Sequence, residues 1–400
     1  MTAALGRRLD LGTANRPVWA GWSGVTLGVF AWWLTLPPLL VRTPAPSLVI
    51  AAAAAGLGLW TVREGERRLG WGAVVAGVIG AIGAVAATQS GEGHLNDVVV
   101  WSALAAAMLR FATPLVFGAL GGIVSERSGV VNIGLEGMML CGAFFAIYGA
   151  DLVNGWIGGL LIGMAAGAVL ALVHAVFSIS LRADQIVSGF AVNFLALGLT
   201  GYIFLYHYGE KGTPDNLPQV PDVSLPITSI PFFGPALDNL NLLIWIALLL
   251  VLLVWLFVFR TPTGLRLRSV GENPRAAATV GISVYKVRYF SVIASGALAA
   301  MGGAFLSLGF VHSFSQNMTA GRGFIALAVV IVGKWRPGPA LVAALVFGFT
   351  QALAQRLPTF SESSATLLQA LPYVVTLIAV AGLVGRSVPP AADGVPYSKE

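Results

Sequence analysis

Long apolar runs, repeated along the whole chain, restrict the fold more than any other feature of this sequence. Twelve such segments lie near residues 18–41, 46–62, 70–89, 98–121, 129–149, 155–181, 187–207, 241–259, 288–311, 323–333, 337–355 and 368–385. A helix that crosses a membrane needs about 20 mainly apolar residues, and most of these segments reach that length. The sequence therefore predicts an all-α integral membrane protein with about 12 apolar segments and about 11–12 crossings.

Composition and charge agree with a membrane location and predict an orientation. Of the 400 residues, 57% are hydrophobic and only 10% are charged, whereas a soluble domain carries about 25% charged residues. If both termini are cytoplasmic, most of the 23 Lys and Arg residues fall in cytoplasmic stretches, as the positive-inside rule requires. Because these basic residues are scattered between apolar runs, membrane lipid is an expected partner and nucleic acid is not.

The tenth apolar segment, 323–333, is too short for an ordinary crossing. It predicts either a half-helix that turns back inside the protein, or one part of a broken helix shared with segment 337–355. Non-helical backbone at membrane depth must be covered by protein or line a cavity. The short segment is therefore a hint of a transport pathway.

Polar side chains inside apolar sequence mark the candidate substrate pathway. Asn132 and Glu136 are four residues apart and share a helix face. Asn193 lies in the middle of the seventh segment, and Gln316 follows the ninth. Amide groups can both donate and accept hydrogen bonds, which suits a polar solute. The alternatives are interhelical hydrogen bonds for Asn132 and Asn193, and for Glu136 a pairing with Arg127.

A polar loop, residues 260–288, has the pattern of a short capped helix. Asn273 suits the N-cap, Pro274 the first helical position, and Gly281 the end of the helix. A helix this short is marginal alone in water, so it makes sense against a groove on a partner protein. The alternative is an ordinary positively charged loop.

Enzyme chemistry has little support in the sequence. The chain has one cysteine and four scattered histidines, and it offers no catalytic group and no metal-binding spacing. It also lacks a Gly-x-x-x-x-Gly-Lys-Ser/Thr phosphate loop, so ATP would have to bind to another protein.

Two stretches resemble a known family. Loop 260–288 resembles the coupling loop of ABC importer permeases, and the matching residues are Gly271, Glu272, Asn273, Pro274, Arg275 and Gly281. The stretch from Ser125 to Met139, which reads SERSGVVNIGLEGMM, resembles the branch of that superfamily serving branched-chain amino acids, simple sugars and nucleosides. It is most similar to nucleoside permease subunits.

This resemblance implies a function and a set of partners. It implies a non-enzymatic permease subunit of an ATP-driven importer in the bacterial inner membrane, working by alternating access. The implied partners are a second homologous permease, an ABC ATPase that holds ATP and Mg²⁺, and an extracytoplasmic substrate-binding lipoprotein. No cofactor is expected in this chain itself. The alternatives are a simple-sugar permease and an ion-driven secondary transporter with Glu136 as its relay.

The resemblance also divides the chain. Residues 98–386 correspond to the permease domain with its coupling loop, and residues 387–400 form a cytoplasmic tail. Residues 1–97 add three apolar segments ahead of the region where the shorter nucleoside permeases begin. Their role is open among peripheral packing, support of the partner permease, and membrane insertion.

Overall fold

A computed structural model describes residues 16–35, 41, 43–89, 100–226, 230, 233–356 and 387–398. Within these residues, nine helices are long and apolar enough to cross a membrane, which confirms an all-α membrane fold. The twelfth apolar segment of the sequence, 368–385, lies outside the described residues. The chain divides into two compact units, Met1–Leu104 with Ile230–Ala236 and Ala105–Ser229 with Leu237–Glu400.

The first unit contains three helices, which pack closely because glycine residues lie where they touch. They are α1 (Arg16–Trp33), α2 (Pro44–Arg63) and α3 (Arg67–Gln89). Gly58 and Gly70 face each other so closely that a Cβ on either one would lie 2.6 Å from the other's carbonyl oxygen. Such close backbone approach is how membrane helices gain packing contacts when lipid removes the hydrophobic driving force.

The second unit contains the remaining spans. Its helices are α4 (Trp101–Glu126), α5 (Leu135–Val153), α6 (Trp156–Ala175), α7 (Gln185–Tyr208), α9 (Leu242–Arg260), α10 (Pro262–Glu272), α11 (Pro274–Thr279), α12 (Val284–Ala304), α13 (Arg322–Val332) and α14 (Pro337–Arg356), whereas the short α8 (Phe233–Leu237) falls almost wholly in the first unit. Short π-helical stretches, Val176–Ser180 and Phe305–Val311, extend α6 and α12. Two-residue strands, β1 (Asp222–Val223) and β2 (Leu240–Asn241), pair antiparallel with Asp222 opposite Asn241.

Side-chain caps fix where several of these helices begin. The Asp184 carboxylate accepts hydrogen bonds from two backbone N–H groups at the start of α7, at 2.8 and 3.0 Å. Asn241 accepts from Leu243 at the start of α9, and Thr261 accepts from Gly264 at the start of α10, both at 3.0 Å. These caps satisfy N–H groups that a helix start leaves without an intrahelical partner.

Helices α5, α6 and α12 form the most tightly packed part of the second unit. A Cβ on Gly159 would lie 2.5 Å from the carbonyl oxygen of Ala146, and one on Gly163 would lie 2.8 Å from that of Gly142. The glycines of α6, spaced four apart, therefore bring its backbone against α5. The packing leaves α5 and α12 largely buried, while α7 keeps a broad exposed apolar face.

Helix α13 corresponds to the short tenth segment. Its 11 residues extend about 16 Å, roughly half of the apolar thickness of a bilayer. It begins after a run of turns at residues 316–321 and ends at a turn before α14 starts at Pro337. Helices α13 and α14 are therefore separate elements, and α13 is a half-helix.

Candidate functional site

Residues 127–134, the α4–α5 segment, are non-helical and mostly buried between two spans. Buried backbone polar groups need partners, and helix bonds cannot supply them here. The carbonyl of Val130 accepts from Ser125 Oγ at 2.7 Å, and the N–H of Val131 donates to Gln185 Oε1 at 2.7 Å. Polar side chains from neighbouring helices therefore replace the missing helical hydrogen bonds.

His174 supports the same segment. Its Nε2 lies 3.1 Å from the carbonyl oxygen of Val131, and its Nδ1 lies 3.0 Å from Ser188 Oγ. Because a carbonyl only accepts, the hydrogen-bond network assigns the ring proton to Nε2 and makes Nδ1 the acceptor from Ser188. The ring is fully buried. Its position explains a histidine in an apolar helix without any metal.

Asn193, one of the candidate pathway residues, joins α7 to both sides of the start of α5. Its Nδ2 donates to the carbonyl of Ile133 at 3.0 Å, and its Oδ1 accepts from the N–H of Gly137 at 2.8 Å. Both the NH₂ group and the carbonyl oxygen of the amide thus form hydrogen bonds with backbone groups. Of the two interpretations open from the sequence, the geometry favours hydrogen bonding within the bundle.

Asn132 does not share a helix face with Glu136 as predicted, because it lies in the non-helical segment before α5, and its amide is only half satisfied. It is fully buried, and its Nδ2 donates to Ser295 Oγ on α12 at 2.9 Å. Its Oδ1 has no hydrogen-bond partner among the described residues. Asn132 therefore ties the α4–α5 segment to α12, through a serine that the sequence pattern did not single out.

Glu136 lies where two helices begin. It is in the first turn of α5, and it also receives the first N–H groups of α13: Gly321 donates to Oε1 at 2.8 Å and Gly323 donates to Oε2 at 2.6 Å. A carboxylate is stabilised at a helix N-terminus by unpaired N–H groups and by the helix dipole. Glu136 therefore caps the half-helix α13 from another span.

The expected pairing of Glu136 with Arg127 does not form, because each has other partners. Arg127 Nε donates to the carbonyl of Trp335 at 3.1 Å, in the turn between α13 and α14. The indole N–H of Trp335 in return donates to the buried carboxylate of Glu126. Both ends of α13 are thus fixed to the stretch around α4 and α5, one by Glu136 and the other by Glu126 and Arg127.

Gln316, the fourth candidate pathway residue, is not part of this hydrogen-bonded group. It is exposed in the turns between the π-helical extension of α12 and the start of α13. The structure thus brings together three of the four candidates, Asn132, Glu136 and Asn193, around the non-helical start of α5.

Helices α10 and α11 contain the predicted coupling residues. Asn273 Oδ1 accepts from the N–H of Ala276 at 3.0 Å, Pro274 opens α11, and Gly281 follows it with a φ of 85°. A φ in this left-handed region suits glycine, which has no Cβ to clash. The side chain of Val280, at the end of α11, is 74% exposed.

Gly271 brings this loop against the α4–α5 segment. A Cβ at Gly271 would lie 2.2 Å from the carbonyl oxygen of Arg127, so only glycine allows this approach. Glu272 and Arg275, by contrast, are exposed on the loop. The loop therefore offers an outer surface while its inner side contacts the segment that Glu136 and Asn193 support.

Replacing Asn193 by leucine tests the structural interpretation. We expect a loss of about 2–4 kcal/mol in stability, since a similar-sized apolar side chain would leave the Gly137 N–H and the Ile133 carbonyl buried without partners. The measurement is the thermal midpoint of the detergent-purified chain, with Gln316→Ala as the exposed control. An unchanged midpoint combined with a raised KM for solute uptake would instead indicate that Asn193 binds the solute.

Known proteins are similar to this chain over most of its length. The model of the family described as branched-chain amino acid transport system / permease component matches residues 104–380. The guanosine ABC transporter permease protein NupQ of Bacillus subtilis is 43% identical, covering 76% of this chain and 99% of that protein. The nucleoside ABC transporter permease protein NupC of Lactococcus lactis is 39% identical with the same coverage.

A relative with a different name matches slightly less of the chain. The putative glucose ABC transporter permease protein TsgC13 of Haloferax volcanii is 38% identical, covering 68% of this chain and 84% of that protein. No solved structure matches the chain.

Proposed function

The chain belongs to the family of permease components of branched-chain amino acid transport systems, and from that membership we propose that it is the nucleoside-conducting permease of an ATP-driven importer. It is a transport subunit rather than an enzyme, and a multi-pass protein of the cell membrane. The single observation that carries the nucleoside assignment is the match to 99% of the length of NupQ and NupC. Glucose is the alternative solute, on the weaker match to TsgC13.

The energy source is proposed to lie in a partner. The sequence contains no phosphate loop, so ATP and Mg²⁺ would bind an ABC ATPase subunit. Two further relatives, NupB of Lactococcus lactis and NupP of Bacillus subtilis, are each 26% identical to this chain and have the same solute names as NupC and NupQ. These pairs support a second, homologous permease beside this chain. An extracytoplasmic lipoprotein would deliver the solute.

We place the ATPase contact on α11 and its flanking residues Gly271–Gly281. The distribution of Lys and Arg favours a topology of about 12 segments with both termini and the α10–α11 loop on the cytoplasmic side. The loop has an exposed outer surface, and its inner side touches the α4–α5 segment at Gly271. Movement of the ATPase subunits would therefore reach the spans through α11, as alternating access requires.

The pathway is proposed to run beside the half-helix α13. Transporters commonly place their solute site where helices are discontinuous, because the free backbone groups there can face a cavity. Asn132, Glu136 and Asn193 would act by holding this discontinuity open, and the exposed amide of Gln316 would meet the solute. Both Glu136 oxygens accept N–H groups of α13, so the carboxylate serves as a cap rather than as an ion relay.

We base the proposed domain division on the length of the relatives. Residues 98–386 would form the permease domain and 387–400 a cytoplasmic tail. NupQ is covered almost fully by 76% of this chain. The helices α1–α3 would then be an addition to the permease domain rather than part of the transport machinery.

Uptake by the assembled importer tests the solute assignment. The chain, its second permease, the ATPase and the lipoprotein are reconstituted in liposomes, and uptake of labelled guanosine is competed with unlabelled nucleosides and with glucose. Inhibition by nucleosides alone supports the proposal. Inhibition by glucose but not by nucleosides would replace it with the sugar assignment.

Changing Val280 to aspartate tests the coupling role of α11. We expect uptake to fall at least tenfold, since a charge would replace a large exposed apolar side chain where the ATPase groove would bind it. The matched control is Val153→Asp, because Val153 is 50% exposed at the end of α5 and lies outside both the loop and the C-terminal residues 387–398. Equal uptake by the two variants would remove α11 from the ATPase contact.

A further inference from the structure

The tail segment, residues 387–398, is packed into the protein although it contains no helix or strand. Tyr397 is only 8% exposed, and Ala392 only 7%. A segment without helix or strand needs specific contacts to hold it in place. The contacts that hold this segment come from α10, α11, α12, α13 and the α4–α5 segment.

One set of contacts joins the tail segment to the coupling loop. The N–H of Ala392 donates to the carbonyl of Gly271 at 2.9 Å, and the N–H of Ala391 donates to Glu272 Oε2 at 3.3 Å. The ring of Tyr397 packs in an apolar cluster with three buried side chains of α10, α11 and α12: Val270, Ala277 and Val284. The inner face of α11 therefore rests on the tail.

A second set of contacts joins the tail segment to the discontinuous helices. Ser387 Oγ donates to the carbonyl of Ile331 near the end of α13, at 2.7 Å. A Cβ on Gly129, in the α4–α5 segment, would lie 2.9 Å from the carbonyl oxygen of Ala392. One stretch of twelve residues thus touches α11, the α4–α5 segment and α13 together.

Arg288 holds the far end of the tail segment. This side chain of α12 is fully buried, and its Nη1 donates to the carbonyl of Val395 at 3.0 Å. The neighbouring Tyr285 hydroxyl donates to the carbonyl of Tyr397 at 3.4 Å. Burying an arginine is costly unless its donors find acceptors. The Val395 carbonyl supplies one acceptor, whereas Nε and Nη2 have no hydrogen-bond partner among the described residues.

Asp393 lies next to this arginine in a buried position. Burial raises the pKa of Asp393 to about 7, against the opposing effects of Arg288 and of the Gly394 N–H. One of its carboxyl oxygens, Oδ1, is buried without a hydrogen-bond partner among the described residues. Arg288 is thus a charged neighbour of the tail segment as well as a donor to its backbone.

We propose that the tail segment is a clamp, which makes α11 move together with the α4–α5 segment and α13 during transport. The clamp deepens the proposed function and rests on it. Without the clamp, α11 would still bind the ATPase, but its movement would be transmitted to the spans through fewer contacts. The expected defect is therefore a loss of coupling rather than a loss of assembly.

Truncation after Arg386 in the full importer tests the clamp. We expect the complex to assemble with basal ATP hydrolysis close to normal, and the nucleoside molecules taken up per ATP to fall at least tenfold. Truncation after Ser398 is the control and should behave like the intact chain. Unchanged uptake per ATP after the longer truncation would overturn the clamp.

Point variants separate the clamp from a general effect of shortening the chain. Tyr397→Ala should reproduce the low uptake per ATP, because the ring fills the apolar cluster beside α11. Tyr397→Phe should keep normal values, since it keeps the ring. Equal defects in the two Tyr397 variants, or none in Tyr397→Ala, would contradict the clamp.

Hydrogen exchange of the permease without any solute keeps the test independent of the solute assignment. Truncation after Arg386 should raise the exchange of backbone N–H groups in residues 270–284 at least tenfold, and leave exchange in α6 unchanged. If guanosine is not transported but this exchange rises, the solute assignment fails and the clamp stands. If exchange in residues 270–284 does not change, the clamp fails whatever the importer carries.

Discussion

Replacing Glu136 by glutamine is expected to abolish uptake and to destabilise the purified chain by about 3 kcal/mol or more. The carboxylate accepts two short hydrogen bonds from the start of α13, and it is 8% exposed. An amide has only one oxygen, so its NH₂ group would face a backbone N–H. The half-helix would then lose the group that fixes its first turn against α5.

The thermal midpoint of the detergent-purified protein and the uptake rate of the importer measure this effect together. Glu210→Gln is the matched control, because Glu210 is an exposed acid in the short 3₁₀ turn after α7. The control should keep both values. If Glu136→Gln kept the thermal midpoint and lost only uptake, Glu136 would act on the solute or on an ion and not as a cap.

Replacing Gly303 by alanine is expected to prevent correct packing of the permease domain. An added Cβ would lie only 1.8 Å from the carbonyl oxygen of Met139, and 2.7 Å from the nitrogen of Ala143. Backbone atoms of a buried helix cannot move aside as a flexible side chain can. Helices α5 and α12 would have to separate, and overpacking of this kind costs about 1–3 kcal/mol or more.

The yield of monodisperse protein after purification measures this second effect. The control is Gly198→Ala, a glycine-to-alanine change on α7 where an added Cβ meets nothing within 4 Å. That control should purify as well as the original chain, or better, because alanine favours a helix. Equal yields of the two variants would show that α5 and α12 do not pack as closely as described.

The sequence was sufficient to predict features that depend on local pattern. Long apolar runs predicted the spans, and the length of segment 323–333 predicted a half-helix as one of two alternatives. Asn273 followed by Pro274 predicted the start of α11, since capping depends on neighbouring residues alone.

Features that depend on distant residues could not be predicted. The partner of Glu136 lies about 185 residues away on α13, and no local pattern indicates that two helices begin at one place. Sequence proximity suggested Arg127 instead, but that guanidinium donates to the turn at Trp335. The roles of Gln185 and Ser295 were missed for the same reason, because each supports a segment that belongs to another part of the chain.

The packing of the tail segment could not be predicted from the sequence either. Residues 387–398 form a short stretch that is rich in proline and alanine and has no apolar periodicity, so the sequence predicted nothing there beyond a cytoplasmic tail. Their burial depends on backbone groups, such as the Gly271 carbonyl, and on the buried Arg288. Backbone partners have no sequence signature, so only the structure reveals them.

The decisive measurement is uptake of labelled guanosine into liposomes, with ATP supplied or withheld on the side of the membrane that carries the ATPase. We expect uptake only when the chain, its second permease, the ATPase and the lipoprotein are all present and ATP is hydrolysed. Uptake by the purified chain alone, or uptake by the complex that persists without ATP, would show that this chain is not the permease of an ATP-driven importer.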